Sequence, residues 1–246
     1  MSKHNIENKE SSVISAMFNN IAGKYDFLNH FLSFGIDKYW RRKAVKLLAN
    51  QVLAKGQNKV LDLACGTGDS TIELSKCGFE VIGADIAEKM VEHAIAKSAS
   101  IKNISIPPKF EIGNAESLSY QDNYFNAVTI FFGIRNFNKR EQCLSEIYRV
   151  TKEGGVIAIL EFAKPKNYLI RFFYNIYLNV VLPFIGRLVS KDKKAYEYLS
   201  HSIEGFPKYN VFCKELERAG FVNVEYKPYT FGVAVLYIGV KSEEQK

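Results

Sequence analysis

Two stretches of this chain combine residue types that can hold and transform a small molecule. The first is Val60-Leu61-Asp62-Leu63-Ala64-Cys65-Gly66-Thr67-Gly68-Asp69, an apolar run that passes straight into a glycine turn flanked by carboxylates. Glycine at 66 and 68 lets the backbone turn tightly and approach a ligand closely. A dinucleotide site built on G-x-G-x-x-G would seat a pyrophosphate on the N-terminus of the helix that follows. Here Thr71 stands at the third glycine position and Asp69 lies on the phosphate's approach. A carboxylate there repels phosphate and attracts a cation, and Asp62 adds a second negative charge. The turn therefore suits a positively charged, phosphate-free adenosine compound, and S-adenosylmethionine has those properties. Asp85, followed by Ile86, closes the next apolar run, Glu80 to Ala84, about where an acidic residue takes ribose hydroxyls. The competing role for Asp85 is a helix cap ahead of Glu88.

The second stretch is Phe131-Phe132-Gly133-Ile134-Arg135-Asn136-Phe137, an arginine among aromatics after a fourth apolar run, Ala127 to Phe131. Two roles fit Arg135: a buried, paired arginine that holds the loop, or a cation aimed at an oxyanion on an apolar substrate. Gly113-Asn114-Ala115-Glu116 follows the third run, Lys109 to Gly113. Asn114 there either bonds an adenine edge or makes a plain turn.

These segments need a frame that brings them together. Apolar runs alternate with helical patterns from residue 58 onward, the helices expected at Thr71 to Lys76 behind an Asp69 or Ser70 cap, at Ala87 to Ser98 and at Glu141 to Thr151. With a fifth strand at Val156 to Glu161, this implies an α/β, doubly wound, mostly parallel sheet. The short link between Asn223–Tyr226 and Val233–Val240 makes that pair antiparallel at the sheet's edge. The boundaries expected are a helical cap over 1–50, a cofactor-binding core over 58–161, an apolar helical cover over 165–210, and a C-terminal helix with the strand pair over 211–246. All belong to one domain, for which 246 residues with 47% hydrophobic content suffice. The aromatic-rich cap, Ser12 to Asn50, packs on the sheet and can also close the ligand pocket, because ligands of such sheets bind beyond the carboxyl ends of the strands.

Tyr168 to Val189 is apolar apart from Arg171, Asn175, Asn179 and Arg187. Its uninterrupted stretch falls short of the roughly 20 residues a bilayer needs. The polar stripe at 171, 175 and 179 suits either core packing or an interfacial helix. The net charge of +7 comes from residues interleaved with 26 acidic ones, with no basic and aromatic platform, so nucleic acid is not expected. Two basic clusters, Lys38 to Lys43 and Lys191 to Lys194, read as solvated faces; as contact sites they suit an anionic membrane surface as well as RNA. The four cysteines show no metal-ligand spacing, so no metal is expected, and neither they nor the N-terminus carries an export signature, so a cytoplasmic protein is expected.

Several of these segments together resemble the ubiquinone/menaquinone biosynthesis C-methyltransferases. They are Tyr25-Asp26 through Asn29 with Ser33-Phe34-Gly35; Leu61 to Asp69; Asn114-Ala115-Glu116; Phe132-Gly133-Ile134-Arg135-Asn136; Leu160-Glu161-Phe162-Ala163-Lys164-Pro165; and Tyr198-Leu199 with Ser202-Ile203. The glycine turn is common to most class I methyltransferases, whereas the Phe-Gly-Ile-Arg-Asn loop and the Tyr-Asp cap are particular. The resemblance implies a Rossmann-like, seven-stranded class I fold with an antiparallel C-terminal edge strand. It also implies methyl transfer from S-adenosylmethionine to a ring carbon of a prenylated quinol. Demethylmenaquinol is the acceptor expected, with a methoxy-polyprenyl-benzoquinol as the alternative, and peripheral membrane contact and a homodimer stay open. The expected cofactor positions are Asp62, Gly66, Thr67, Gly68, Asp85, Ile86, Asn114, Ala115 and Phe131, the last standing where the family often has serine or threonine. Arg135 is expected to stabilise a developing phenolate, with Tyr25 and a water relaying the proton. His201 stands where the family suggests an acidic residue and is assigned no role.

Overall fold

The computed structural model describes residues 11–102, 104–181 and 193–243. Seven strands form one sheet in the order β3-β2-β1-β4-β5-β7-β6. They are β1 (Lys59–Leu63), β2 (Glu80–Asp85), β3 (Lys109–Ile112), β4 (Phe125–Phe131), β5 (Thr151–Phe162), β6 (Phe221–Tyr229) and β7 (Ala234–Lys241). The first five run parallel, and β7 runs against both β5 and β6, one place in from the edge. All seven residues of β4 are buried, as expected of a central strand covered on both faces.

The helices are α1 (Ser11–Leu32), α2 (Ile36–Val52), α3 (Asp69–Lys76), α4 (Glu88–Ala99), α5 (Arg140–Val150), α6 (Tyr168–Ile176), α7 (Lys193–Gly205) and α8 (Tyr209–Arg218). One core packs α2 against the sheet through Trp40, Val45 and Leu48. The other joins β4, β5 and β7 to α5 and α8 through Ile130, Ile147, Phe212 and Tyr237. The chain order reverses between β1 and β4, which puts a crevice at their carboxyl ends, where ligands of doubly wound sheets bind.

One expectation is corrected here, and one left open is narrowed. Helix α3 is capped by Gly68 at φ 85° with no side-chain hydrogen bond, so neither Asp69 nor Ser70 serves as its cap; Asp69 is drawn into ion pairs instead. For the apolar cover, where the sequence leaves core packing and an interfacial helix both open, α6 itself buries none of its residues, although Leu178 and Ile203 beyond it are buried together. Helix α6, capped by Asn167 through the amides of Leu169 and Ile170, leaves Tyr168, Leu169, Phe172 and Phe173 exposed, and a π-turn at Tyr177–Val181 follows. Arg187, Lys191 and Asp192 lie outside the described residues, as do the side chains of Lys193 and Lys194.

Candidate active site

The crevice at the switch point is a cavity walled by the ends of β1, β2 and β4 and roofed by α1. Its walls include Tyr25, Gly66, Asp85, Ile86, Asn114, Ala115, Phe132 and Asn136. The turn after β1 is formed by Gly68 N–H donating to Cys65 O at 3.0 Å, and a Cβ on Gly68 would stand 2.9 Å from the ring of Phe110. Across the crevice, Gly133 abuts the β1 end: its Cβ would come within 2.7 Å of Ala64 Cβ. Ala64 and Phe132, the residues just past β1 and β4, both adopt left-handed backbone at φ 55° and 63°. That conformation costs a non-glycine residue about 1–2 kcal/mol, and strain of this kind collects at functional sites.

Asp85 lies on the cavity wall. Its Oδ2 accepts from Gly66 N–H at 2.8 Å and its Oδ1 from Ala87 N–H at 2.9 Å, so it pins the glycine turn and also serves the entry to α4. Burial raises its pKa above the ordinary carboxylate range against those amide donors. Asn114 Oδ1 accepts from Glu116 N–H at 2.9 Å, the turn geometry, while the residue still faces the cavity. The walls of this cavity include two carboxylates, Asp85 and Glu116, and among the described residues no lysine or arginine. A phosphate would meet no counter-charge there, whereas a sulfonium with an adenosine finds acceptors together with apolar Ile86 and Met90. The residues present therefore fit S-adenosylmethionine.

The two carboxylates first expected to set this preference do not line the cavity. Asp62 is buried behind it, accepting from Thr71 Oγ1 at 2.6 Å and Thr129 Oγ1 at 2.7 Å. Burial pushes its carboxyl up to about 6, with the two hydroxyls pulling the other way. Asp69 is neutralised by Lys97 Nζ at 2.8 Å, with His30 Nε2 at 3.3 Å and Arg41 at 3.9 Å. Thr67 and Gly68 also lie off the cavity wall: the Thr67 hydroxyl donates to Asp26 and accepts from Lys97, and Gly68 makes room for Phe110. Phe131, the last residue of β4, does not line the cavity: it packs under α2 with Phe132, and of the two only Phe132 also faces the cavity.

The charges around Asp69 fasten the cap. Asp26 of α1 pairs with Lys97 of α4, while His30 Nδ1 lies 2.8 Å from Asp37, which Arg41 and Ser33 also contact. Burial works against Asp37 and Asp69, but Arg41 and the other positive neighbours outweigh it and hold both below the ordinary carboxylate range. His30, Asp37 and Asp69 come close enough to surround a cation, yet their oxygens already face Arg41 and Lys97. Tyr25, between these anchors, packs edge-on to Phe18 and lies over Gly66.

Arg135 is a buried, paired arginine. Its guanidinium donates to Phe132 O and to Glu161 Oε1 at 2.7 Å, and Glu161, itself completely buried, also accepts from Arg135 N–H at 3.2 Å. Arg135 Nε is buried with no partner. Burial opposes its charge, but Glu161, Tyr25 and Tyr198 outweigh that and raise its pKa further. Glu161 is a further functional residue, marked in the sequence only as the glutamate that ends the otherwise apolar run Val156 to Leu160. Tyr198 donates to Asn136 Oδ1 at 2.8 Å and brings α7 to the loop. His201 is exposed on α7.

Beyond Arg135 lies a second cavity of about 210 Å³, walled by Phe34, Trp40, Phe162, Tyr174, Tyr177 and Leu178 among others. Trp40, Phe132 and Phe162 form a ring cluster, with Phe132 and Phe162 centroids 4.6 Å apart, and this cluster separates the two cavities. Arg135 lies over Phe162 at 5.5 Å.

Residues 5–241 match the ubiE/COQ5 methyltransferase family. The chain belongs to that family. It is 40% identical over 239 residues to a demethylmenaquinone methyltransferase of Bacteroides fragilis, covering 96% of this chain and 95% of that one. It is 42% identical over 225 residues to the Thermus thermophilus protein of the same name, covering 91% and 99% respectively. Among solved structures, a Thermotoga maritima S-adenosylmethionine-dependent methyltransferase superposes with a TM-score of 0.66 at 18% identity, covering 92% of this chain and 99% of that one. Haemonchus contortus phosphoethanolamine N-methyltransferase 2, solved with S-adenosyl-L-methionine, gives 0.59 at 14% identity, covering 92% and 60%. At those identities the structures establish the class I fold. The protein is thus a family methyltransferase with S-adenosylmethionine as its cofactor, and no helix among the described residues is long and apolar enough to cross a membrane.

Proposed function

We propose that this protein methylates a ring carbon of demethylmenaquinol, with S-adenosylmethionine as donor. The observation that carries this reading is the shared aromatic wall: a cation-free, carboxylate-lined cavity meets an apolar one across the Phe132–Phe162 pair, behind which Arg135 is held. The names of the relatives, similar over nearly the whole chain, support the same acceptor.

S-adenosylmethionine supplies an electrophilic methyl group. Asp85 would take the ribose hydroxyls, Asn114, Ala115 and Ile86 the adenine, and Gly66 would let the backbone approach. A quinol carbon beside a hydroxyl becomes more nucleophilic as that hydroxyl loses its proton, so the site has to favour phenolate and fix the acceptor's orientation. Arg135 stabilises the developing oxyanion through its unpartnered Nε, and Glu161 holds the guanidinium still. Tyr25, on the roof, passes the phenolic proton outward with a water. The apolar cavity receives the start of the prenyl tail, and a water-insoluble acceptor of this kind makes peripheral membrane contact part of the reading.

The test is to incubate the protein with methyl-labelled S-adenosylmethionine and a reduced lipid extract from a strain lacking this methylation. Labelled menaquinol, identified by mass, is the expected product. A labelled methoxybenzoquinol would move the acceptor to the ubiquinone precursor, and an unlabelled quinone fraction would end the reading.

A further inference from the structure

The apolar cavity opens through residues that are both part of its wall and exposed. Phe34 is 75% exposed, its ring 6.2 Å from that of Tyr177, and Ile36 beside it is also exposed. Helix α6 with its π-turn forms one lip. Tyr174, Tyr177 and Leu178 face the cavity, while Leu169, Phe172, Phe173, Ile176 and Val180 point away from the body and are exposed. On the far lip, Thr230 lines the cavity and adjoins Phe231, which is 78% exposed. Phe34 and Phe231 both sit in left-handed backbone, at φ 52° and 56°. Holding a bulky aromatic in that conformation and in water costs free energy twice, which calls for a compensating partner.

The charge around this surface indicates which partner. The segment 162–181 contains no aspartate or glutamate but carries Lys164, Lys166 and Arg171, all exposed, and Lys38 and Lys43 flank exposed Tyr39 nearby. Basic residues bordering exposed aromatics and a helix with an apolar outer face match an anionic lipid interface. The cavity is about 210 Å³, so only the first part of a long prenyl chain fits and the rest must leave through the mouth.

Resting on the acceptor reading above, we infer that the outer face of α6 and its π-turn, with Phe34 and Phe231, is a docking surface for an anionic bilayer, and that the mouth lined by the packed Phe34 and Tyr177 rings takes the prenyl tail directly from it. Docked in this way, the tail stays in hydrocarbon while the quinol ring reaches Arg135.

The experiment has a binding arm that contains no quinol. Sedimentation with phosphatidylcholine vesicles containing phosphatidylglycerol should capture the wild-type protein, phosphatidylcholine alone should capture less, and added salt should weaken capture. The double variant Phe172→Ser/Phe173→Ser changes only exposed rings, and should lose about tenfold or more in vesicle affinity. Ile95→Ser, an exposed position on α4 near β3, should bind as wild type does. In the activity arm, the double variant should lose kcat/KM for a long-tailed quinol in vesicles by a similar factor, and keep it for a soluble short-tailed analogue. Wild-type protein that ignores anionic vesicles, or a double variant that binds them equally, overturns the docking surface. So does light scattering in which wild type is a dimer and the double variant a monomer, since the face would then join two copies. Vesicle binding that behaves as expected, with no quinol methylated in either form, would end the acceptor reading and leave the bilayer surface standing.

Discussion

The two cavities on either side of Phe132 and Phe162 are put together in different ways. Beneath the α1 roof, the cofactor cavity draws on residues at strand ends: Gly66 and its neighbours after β1, Asp85 and Ile86 at the end of β2, Asn114 and Ala115 after β3, and Phe132, Gly133 and Asn136 after β4. Each segment is short, and the sheet's register sets its position. The apolar cavity takes its walls from α2, β5, α6, α7 and the turn before β7, all far apart in sequence. The first tolerates little change of backbone and depends on a few polar atoms; the second depends on shape and on rings stacked across elements. Arg135 and Glu161 stand where the two meet, so they should respond to change in both ways.

The sharpest break is at Glu161. Replacing it by leucine leaves the Arg135 guanidinium buried without its counter-charge, which costs about 3–5 kcal/mol. Urea denaturation should show this as a lowered midpoint, and an unchanged midpoint would mean that the pair does not hold the loop. Arg135→Ala acts on the reaction. Turnover should fall by roughly 10²–10³, the range for removing one donor to an oxyanion. Cofactor affinity, measured by calorimetry, should stay nearly constant, and wild-type turnover would remove Arg135 from the chemistry.

On the cofactor side alone, Asp85→Ala should weaken S-adenosylmethionine binding by about 10- to 100-fold, the worth of hydrogen bonds to a charged group, with less effect on turnover at saturation. Equal affinities in calorimetry would refute the ribose assignment. The smallest effect is expected at Asp62, which supports the turn from behind. Burial raises its folded pKa to about 6, above the unfolded value near 4, so the protonated form favours the fold. That contribution is fully present below about pH 4 and is lost as pH rises through 6. Stability of the wild type relative to Asp62→Asn should therefore fall by roughly 1–3 kcal/mol between about pH 4 and pH 7, read from urea midpoints at the two values. A pH-independent difference would mean that Asp62 is ordinary.

The same contrast governs what could be read in advance. The strands, their parallel order and the helical cap follow from hydrophobic periodicity and turn residues, which are local. So does the glycine turn, with Asp85 at the next strand's end. Side-chain direction at the strand end is less legible: Phe131 and Phe132 are adjacent and equally apolar and both pack under α2, and only the left-handed backbone of Phe132, just past β4, lets that ring also face the cavity. Net charge at a site is illegible for a related reason. A carboxylate's sign is visible in the sequence, but the Lys97 and Arg41 cations and the His30 imidazole that meet Asp69 come from three separate helices.

By itself, then, the sequence determined a doubly wound sheet, a cofactor turn unsuited to phosphate, and the family, because strand periodicity, glycine placement and short motifs are properties of contiguous residues. Tertiary structure alone decided that Asp85 and Glu116, not Asp62 and Asp69, give the cavity its charge, that Glu161 fixes Arg135, and that α6 turns its apolar face outward. Those outcomes depend on which groups meet across the fold, where burial and a facing charge of opposite sign determine what each side chain can do.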